Sequence, residues 1–518
     1  MPRSEAGAQS RNALVVTGVM GAVFLAAMEA TVVATAMPTV VSALGGIKVY
    51  SWVFSAFLLA STISTPIWGR LADQLGRRNS YLAGLLVFLL GSALCGMSHS
   101  MAHLIASRAI QGLGASSLIT VGMTIVGDLY GLERRAKMQG YFSGVWGLAS
   151  LVGPLIGGVL ADSVSWRWVF YINLPLGILA GAAILVGLQD ATPRSRRPSF
   201  DYAGTVTFSL GITALLLGLV EAGRGASWLR PSVLAMLALS ALLLPVFVLM
   251  ERRASEPVIP LDLFRNPMVR AAAATGFLSG MAMFGAITYV PLFMQAVIGS
   301  SATEAGFVLI PFTIAWVVCS ILGSRLVLRL GYRSVVVAGM ASLTLAFLFF
   351  TGWSEGLTRL VAVRDIMLAG IGMGLIFAPM LIAVQNAVPR SVLGSATSVT
   401  GFFRTIGGAV GVAVMGSVMA HRLQLELSAL IGSVPAPLQA GLAELAAHPD
   451  LIVNPLTRET LDSVVVGLVR LAMAHAVGEV FVVGLVTAVV GLGSAFLVPA
   501  GQARDLATGR EPAAPSRS

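Results

Sequence analysis

The sequence predicts an all-α polytopic membrane protein, two six-helix bundles with two further helices inserted between them, about fourteen spans in total. Three observations predict it. Of 518 residues, 56% are hydrophobic and only 11% charged, with a mean hydropathy of +0.87; soluble domains carry roughly 25% charged residues. Apolar blocks long enough to cross a bilayer recur from about residue 13 to residue 498. Lysine and arginine gather in every second short loop, the asymmetry that fixes membrane topology.

A helix needs about 20 apolar residues to cross a hydrocarbon core of about 30 Å. That yardstick places a first set of spans at 13–37, 52–68, 81–98, 102–125, 139–161 and 167–188. Two inserted spans follow at 202–220 and 232–250, and a second set at 271–297, 304–328, 334–352, 361–385, 395–420 and 476–498. The expected organisation is a tail 1–12, a bundle 13–188, a linker 189–269 with the inserted helices, a bundle 270–498 and a tail 499–518. The run from Ala13 to Met37 is too long for a signal-peptide core and holds Glu29, so it is expected to be retained as the first helix.

The basic sets are Arg70/Arg77/Arg78, Arg134/Arg135/Lys137, Arg194/Arg196/Arg197, Arg252/Arg253/Arg265 and Arg325/Arg329/Arg333. These loops and both termini are expected in the cytoplasm of a cell whose inner membrane holds the chain. Trp52, Trp68, Trp166, Trp168, Trp228 and Trp353 fall at span ends, where an amphipathic ring suits the headgroup zone. Segment 422–475 is longer and mixed, with Pro435, Pro437, Pro449 and Pro455, and is expected to face outward. Leu423–Ile431 and Leu461–Met473 have helical apolar spacing within it, which predicts helices on the membrane surface or over the mouth.

Other classes are disfavoured. The net charge of +10 sits in short clusters between apolar blocks rather than on an aromatic-rich polar face, so no nucleic acid is expected. Cys95 and Cys319 lie inside apolar helices and read as small hydrophobes, without disulfide or metal spacing. The chain has no phosphate-cradling Gly-x-x-x-x-Gly-Lys loop and no nucleophile with a base at motif spacing, so neither an enzyme nor a cofactor is expected. The partners expected are small lipophilic molecules, protons and the bilayer, with a monomeric chain driven by an ion gradient.

Charges inside spans are costly and therefore functional candidates. Glu29 lies about sixteen residues, roughly 24 Å, into the first helix, and Arg108 about seven residues, roughly 10 Å, into the fourth, which enters from the opposite face. The depths match. A carboxylate that can meet either a proton or a cation can exchange one for the other; the alternative is an ion pair that only locks helices one and four. Arg404 sits in the thirteenth span, and Arg364 with Asp365 near the outer end of the twelfth, where such side chains snorkel. Phe284, Tyr289, Phe293, Phe312 and Trp316, with Glu29 and Arg404, either line an apolar cavity for lipophilic cations or serve packing.

Gly69-Arg-Leu-Ala-Asp73-Gln-Leu-Gly76-Arg77-Arg78 resembles the signature loop of the major facilitator superfamily. Gly69 permits close helix approach, Gly76 a tight turn, and Asp73 with the arginines a charge network that breaks and reforms as two halves rock. Leu326–Gly331 with Arg333 repeats this loop 255 residues later, with Leu328 in the place of the aspartate. Arg108, Gln111, Gly112 and Gly114 are similar to the family's fourth-helix motif, whose arginine is associated with proton transfer. Gly147 and Gly153-Pro154-Leu-Ile-Gly157-Gly158 resemble the fifth-helix antiporter motif, which implies export. The run Glu29 to Pro38, with Trp166 to Pro175, resembles the fourteen-helix drug:proton antiporters, although those usually have aspartate at position 29 and asparagine at position 34. The resemblance covers nearly the whole chain. It implies the major facilitator fold and proton-coupled efflux of lipophilic, often cationic drugs by alternating access, with Glu29 and Arg108 as the coupling pair. The rivals are export of an endogenous lipid or glycolipid, separable by transport specificity, and a non-transporting receptor or scaffold, which would drive no counterflow.

Overall fold

A computed structural model describes residues 2–45, 52–189, 201–223, 228–254, 256–300, 302–431, 439 and 463–501. The basic set at 194–197 and most of segment 422–475, with its four prolines, lie outside the described residues. Helix is the only regular structure among the described residues, as lipid demands of backbone groups that must find partners within their own segment. The first half comprises α1 (Pro2–Leu44), α2 (Trp52–Leu75), α3 (Arg77–Gly96), α4 (Met101–Leu129), α5 (Leu132–Ser163), the short α6 (Trp168–Tyr171) and α7 (Asn173–Gly187). α8 (Tyr202–Gly223) and α9 (Pro231–Glu251) are the inserted pair. α10 (Pro267–Phe293), α11 (Ala302–Phe307), α12 (Leu309–Phe350), α13 (Arg359–Ala387), α14 (Leu393–Ile431) and α15 (Ser463–Ala495) complete the second half.

Among the described residues, twelve helical stretches are long and apolar enough to cross a membrane. One of them, Glu304–Phe350, runs through a reversal at Gly331, and the 32-residue α5 is not among the twelve. Most helices overrun the spans expected from hydropathy, because a hydropathy window stops where lipid stops while a helix continues through the headgroups. The largest difference concerns Leu423–Ile431 and residues 463–473: they are the far ends of α14 and α15, not separate surface helices. Leu423, Leu427, Val465 and Val469 are buried there, so the apolar spacing serves packing rather than a membrane surface.

Two apolar cores form. One spans Val15 to Leu188 in the first half; the other spans Phe208 to Val498 and takes in the inserted helices. α8 docks on the second half through Phe208, whose ring lies 5.4 Å from Phe402 on α14.

The halves repeat one backbone design. A Cβ on Gly112 would meet the carbonyl oxygen of Phe57 at 2.3 Å, and a Cβ on Gly370 would meet that of Phe312 at 2.3 Å. Gly114 packs on Gly84 and Phe88 as Gly372 packs on Gly339 and Leu343. Small residues let each helix pair close to backbone contact, the usual cohesion of membrane helices where no hydrophobic force acts between them. Gly76 (φ 91°, ψ 156°) and Gly331 (φ 77°, ψ 167°) turn the chain in the same manner, in a region essentially reserved for glycine.

Candidate transport site and gate

Glu29 of α1 and Arg108 of α4 meet in the first half. Arg108 Nη1 donates to Glu29 Oε1 at 2.6 Å, and each residue is 1% exposed. Removing two charges from water is costly unless their remaining polar atoms are also met, and here both Glu29 oxygens and the Nε and Nη1 groups of Arg108 are. Asn173 Nδ2, at the head of α7, donates to Glu29 Oε2 at 2.8 Å and to Ser92 Oγ at 2.9 Å. Arg108 also donates to Gln111 Oε1 at 2.7 Å and to the Val53 carbonyl at 3.2 Å, and its guanidinium lies 4.2 Å from the centre of the Phe57 ring. Gln111 Nε2 reaches Ser92 Oγ at 3.2 Å, which closes a network across α1, α3, α4 and α7. Ser92 was invisible to sequence reasoning, and Asn173 was seen only as part of a motif, because an uncharged polar residue in a span gives no depth signal.

The fifth-helix glycines bring α5 onto α1 one turn beyond Glu29. A Cβ on Gly153 would strike Thr31 Oγ1 at 2.0 Å, and one on Gly157 would strike Thr35 Oγ1 at 2.2 Å. Gly158 faces open space, and the side chain of Pro154 lies outside the described residues. Thr31 and Thr35 donate their hydroxyls mainly to the carbonyls of Met28 and Val32 in their own helix, and Thr31 also reaches across to the Ala149 carbonyl of α5 at 3.5 Å.

The signature loop joins the halves. Asp73 Oδ1 accepts from Arg77 at 2.6 Å and from Gly394 N at 2.9 Å, while Oδ2 accepts from Ser395 N at 2.8 Å and Ser395 Oγ at 2.7 Å. A first-half carboxylate therefore caps the N-terminus of a second-half helix, whose free N–H groups and dipole favour negative charge. Arg77 bridges further to Asp128 at 2.8 Å and to the Arg390 carbonyl at 3.0 Å. Gly69 touches Ser398 so closely that a Cβ there would lie 2.4 Å from its Oγ. Arg78 turns away and donates to the Leu185 carbonyl at 2.8 Å. Arg135 donates to Asn386 at 2.9 Å, Ser143 and Ser320 share a hydrogen bond of 2.7 Å, and Arg70 and Gln74 hold Glu256 from the segment after α9. The halves are thus clasped at the signature-loop end.

The aromatic residues proposed to line a cavity divide. Phe312 and Trp316 stand edge to face at 5.6 Å, and Trp316 meets Phe377 at 6.2 Å, a residue sequence reasoning did not select. Arg404 stacks on Phe377, 4.0 Å from its centre. Tyr289 is buried and donates to the Val412 carbonyl at 3.0 Å, Phe293 is sealed among Trp353 and Phe481, and Phe284 packs against Gly408. Asp365 does not snorkel: it is fully buried and accepts from Trp353 Nε1 at 2.9 Å and Arg364 Nε at 2.7 Å, and only Arg364 reaches outward. Trp353 is accordingly a buried donor rather than an exposed anchor.

This combination of two alike halves, a buried ion pair in one and a charged clasp between them has a counterpart among known families. The model of the Major Facilitator Superfamily matches residues 19–412. The chain belongs to the major facilitator superfamily. It is 37% identical over 507 residues to multidrug transporter protein MdtP of Bacillus subtilis (strain 168), covering 95% of this chain and 94% of that protein. It is 32% identical over 478 residues to multidrug resistance protein 3 of the same organism, covering 92% and 93%. The fold is similar to the crystal structure of the human organic anion transporter MFSD10 (TETRAN), with a TM-score of 0.60 at 16% identity over 92% of this chain and 99% of that one. The chain is therefore a multi-pass membrane transporter, not an enzyme.

Proposed function

We propose that this superfamily member is a drug exporter that exchanges protons for lipophilic, often cationic compounds across the cell membrane, through fourteen spans with both termini in the cytoplasm. The observation that carries the reading is the Glu29–Arg108 pair, sealed within the first half and shared with Asn173 and Gln111. A proton on Glu29 removes the charge that holds Arg108, which keeps Gln111, the Val53 carbonyl and the Phe57 ring; loss of the proton restores the pair. Proton and substrate thus bias the same helix contacts in opposite directions, which is what exchange requires. The multidrug names of both Bacillus relatives support the substrate class. In the proposed orientation the clasp at the signature loop closes the cytoplasmic side, so this conformation faces outward, and export proceeds by opening the clasp inward to reload.

The test is counterflow in proteoliposomes under an imposed pH gradient, with a lipophilic cation as probe. Wild type is expected to exchange protons for the probe and Glu29→Gln to lose proton exchange; equal behaviour of the two would reduce Glu29 to a structural role.

One observation favours a second reading, export of an endogenous lipid. α14 (39 residues) and α15 (33 residues) exceed the roughly 20 residues a span needs, and Arg422, Glu426, His475 and Glu479 tie them together far from the signature loop. Shortening this projecting pair is expected to abolish lipid export while sparing drug exchange.

A further inference from the structure

Arg404 differs from every other arginine of the inner membrane body described above. Arg108 has Glu29, Gln111 and a carbonyl; Arg77 has Asp73, Asp128 and a carbonyl; Arg135 has Asn386 and the Tyr130 carbonyl. Arg404 lies in the first third of α14 and has neither an ion-pair partner nor a hydrogen-bond acceptor among the described residues. Among the described residues its guanidinium lies over the face of Phe377. Leaving a cation in a membrane span without an acceptor is costly, and such charges persist where a ligand or a water-filled path meets them.

The surroundings fit a ligand. Arg404 is half-buried rather than sealed, as are Phe377 and Trp316 beside it. Gly401, one turn before Arg404 on α14, has no atom within 4 Å of where a Cβ would stand, so this face of α14 is open one turn before Arg404. The backbone behind it is fixed, because Gly280 of α10 lies against the Arg404 carbonyl so closely that a Cβ there would approach it to 2.1 Å. A guanidinium on a tightly packed backbone, a ring plane that orients it and an aromatic wall make a site for a flat or bulky apolar body that ends in an anion.

We propose that Arg404, with Phe377 and Trp316, is a subsite for the carboxylate or phosphate of an amphipathic substrate, so that the chain accepts zwitterions and organic acids as well as cations. This rests on the reading of the chain as an exporter, but binding tests it separately. The guanidinium forks onto the anion while Trp316 and Phe377 hold the apolar body, and Glu29 remains free to handle the proton in the other half.

The experiment uses the full chain and a matched pair of probes, an aromatic amine carrying a free carboxylate and its methyl ester, with tetraphenylphosphonium as the permanent cation. Equilibrium binding to the solubilised protein and uptake into inverted vesicles are measured for wild type, Arg404→Gln, Arg404→Lys and Phe377→Ala. Arg404→Gln is expected to weaken binding of the acid by about tenfold or more, the scale of one charge-assisted contact, and to leave the ester and tetraphenylphosphonium within about twofold. Arg404→Lys restores part of the loss, since a point charge replaces a fork. Equal loss of acid and ester in a folded Arg404→Gln, or no loss of either, overturns the proposal. Selective binding without uptake by wild type would overturn the exporter reading and leave the subsite standing. Vesicles of phosphatidylcholine alone and vesicles enriched in phosphatidylglycerol separate the sources of the anion: competition by the acidic lipid in wild type, absent in Arg404→Gln, assigns the subsite to a lipid headgroup.

Discussion

The two halves share a backbone and differ in what they bury. Gly112 against Phe57 and Gly370 against Phe312 are the same helix crossing, and Gly76 and Gly331 the same turn. Where the first half places Arg77 against Asp128, the second places Tyr332 against Asn386, joined by a neutral hydrogen bond of 2.7 Å. Asp73 has Leu328 as its counterpart, and Arg108, four residues before Gly112, has the buried Ile366 four residues before Gly370. The scaffold therefore does not require the charges. They are additions to one copy of a design that stands without them in the other, so what they do can be tested apart from the scaffold.

The largest expected effect breaks this asymmetry at its centre. Arg108→Leu strands Glu29 in a sealed site and is expected to destabilise the protein by roughly 3–5 kcal/mol, read as a lowered melting temperature in detergent. The double variant Glu29→Leu/Arg108→Leu makes the first half resemble the second. It is expected to recover most of that stability, because Asn173 and Gln111 keep Ser92 as a partner, yet to show no proton-coupled transport. Recovery of both would make the pair dispensable. The turns give the next effect. Gly76→Ala and Gly331→Ala each force a side chain into glycine-only backbone space, at roughly 1–3 kcal/mol, and in Gly331→Ala the Cβ would also lie 2.4 Å from the Gly501 carbonyl oxygen. A melting temperature of Gly331→Ala equal to that of wild type would deny both the strain and that contact.

How much of this was legible in the sequence follows from which signals survive without a fold. Hydropathy located the helices because a bilayer demands a minimum apolar length, but it ended them early, as α14 and α15 show. Counting residues from opposite faces brought Glu29 and Arg108 to compatible depths, and the structure pairs them. The spacing of Gly69, Asp73, Gly76 and Arg77 marked the signature loop, but not that Asp73 would reach across to cap α14, since nothing in a span announces which helix end lies opposite it. The cavity aromatics were least legible: in a uniformly apolar helix every face reads alike, so Tyr289 and Phe293 could not be told from Trp316, and Phe377 gave no signal. Asp365 was read as an end-of-helix charge because its partner Trp353 lies across a turn rather than on its own helix face.

The clasp separates the halves by a smaller margin. Asp73→Asn keeps the shape and removes the charge that α14 receives at its N-terminus, an effect of about 1–2 kcal/mol on a helix cap. That energy is spent only while the clasp is closed, so the variant is expected to shift the population toward the opposite conformation by about tenfold, measured as a longer distance between spin labels placed at the ends of α2 and α14. An unchanged distance distribution would mean that Arg77, Arg135 and Glu256 hold the end closed without it. The smallest effect is Tyr332→Phe, which removes the neutral bond standing where the first half has its ion pair. Asn386 keeps the donation from Arg135, so the cost is about 1 kcal/mol in stability, with transport near the wild-type rate. Should Tyr332→Phe instead impair transport as deeply as loss of Asp128, the second half's neutral pair would belong to the gate as fully as the charged one, and the asymmetry would lie only at Glu29 and Arg108.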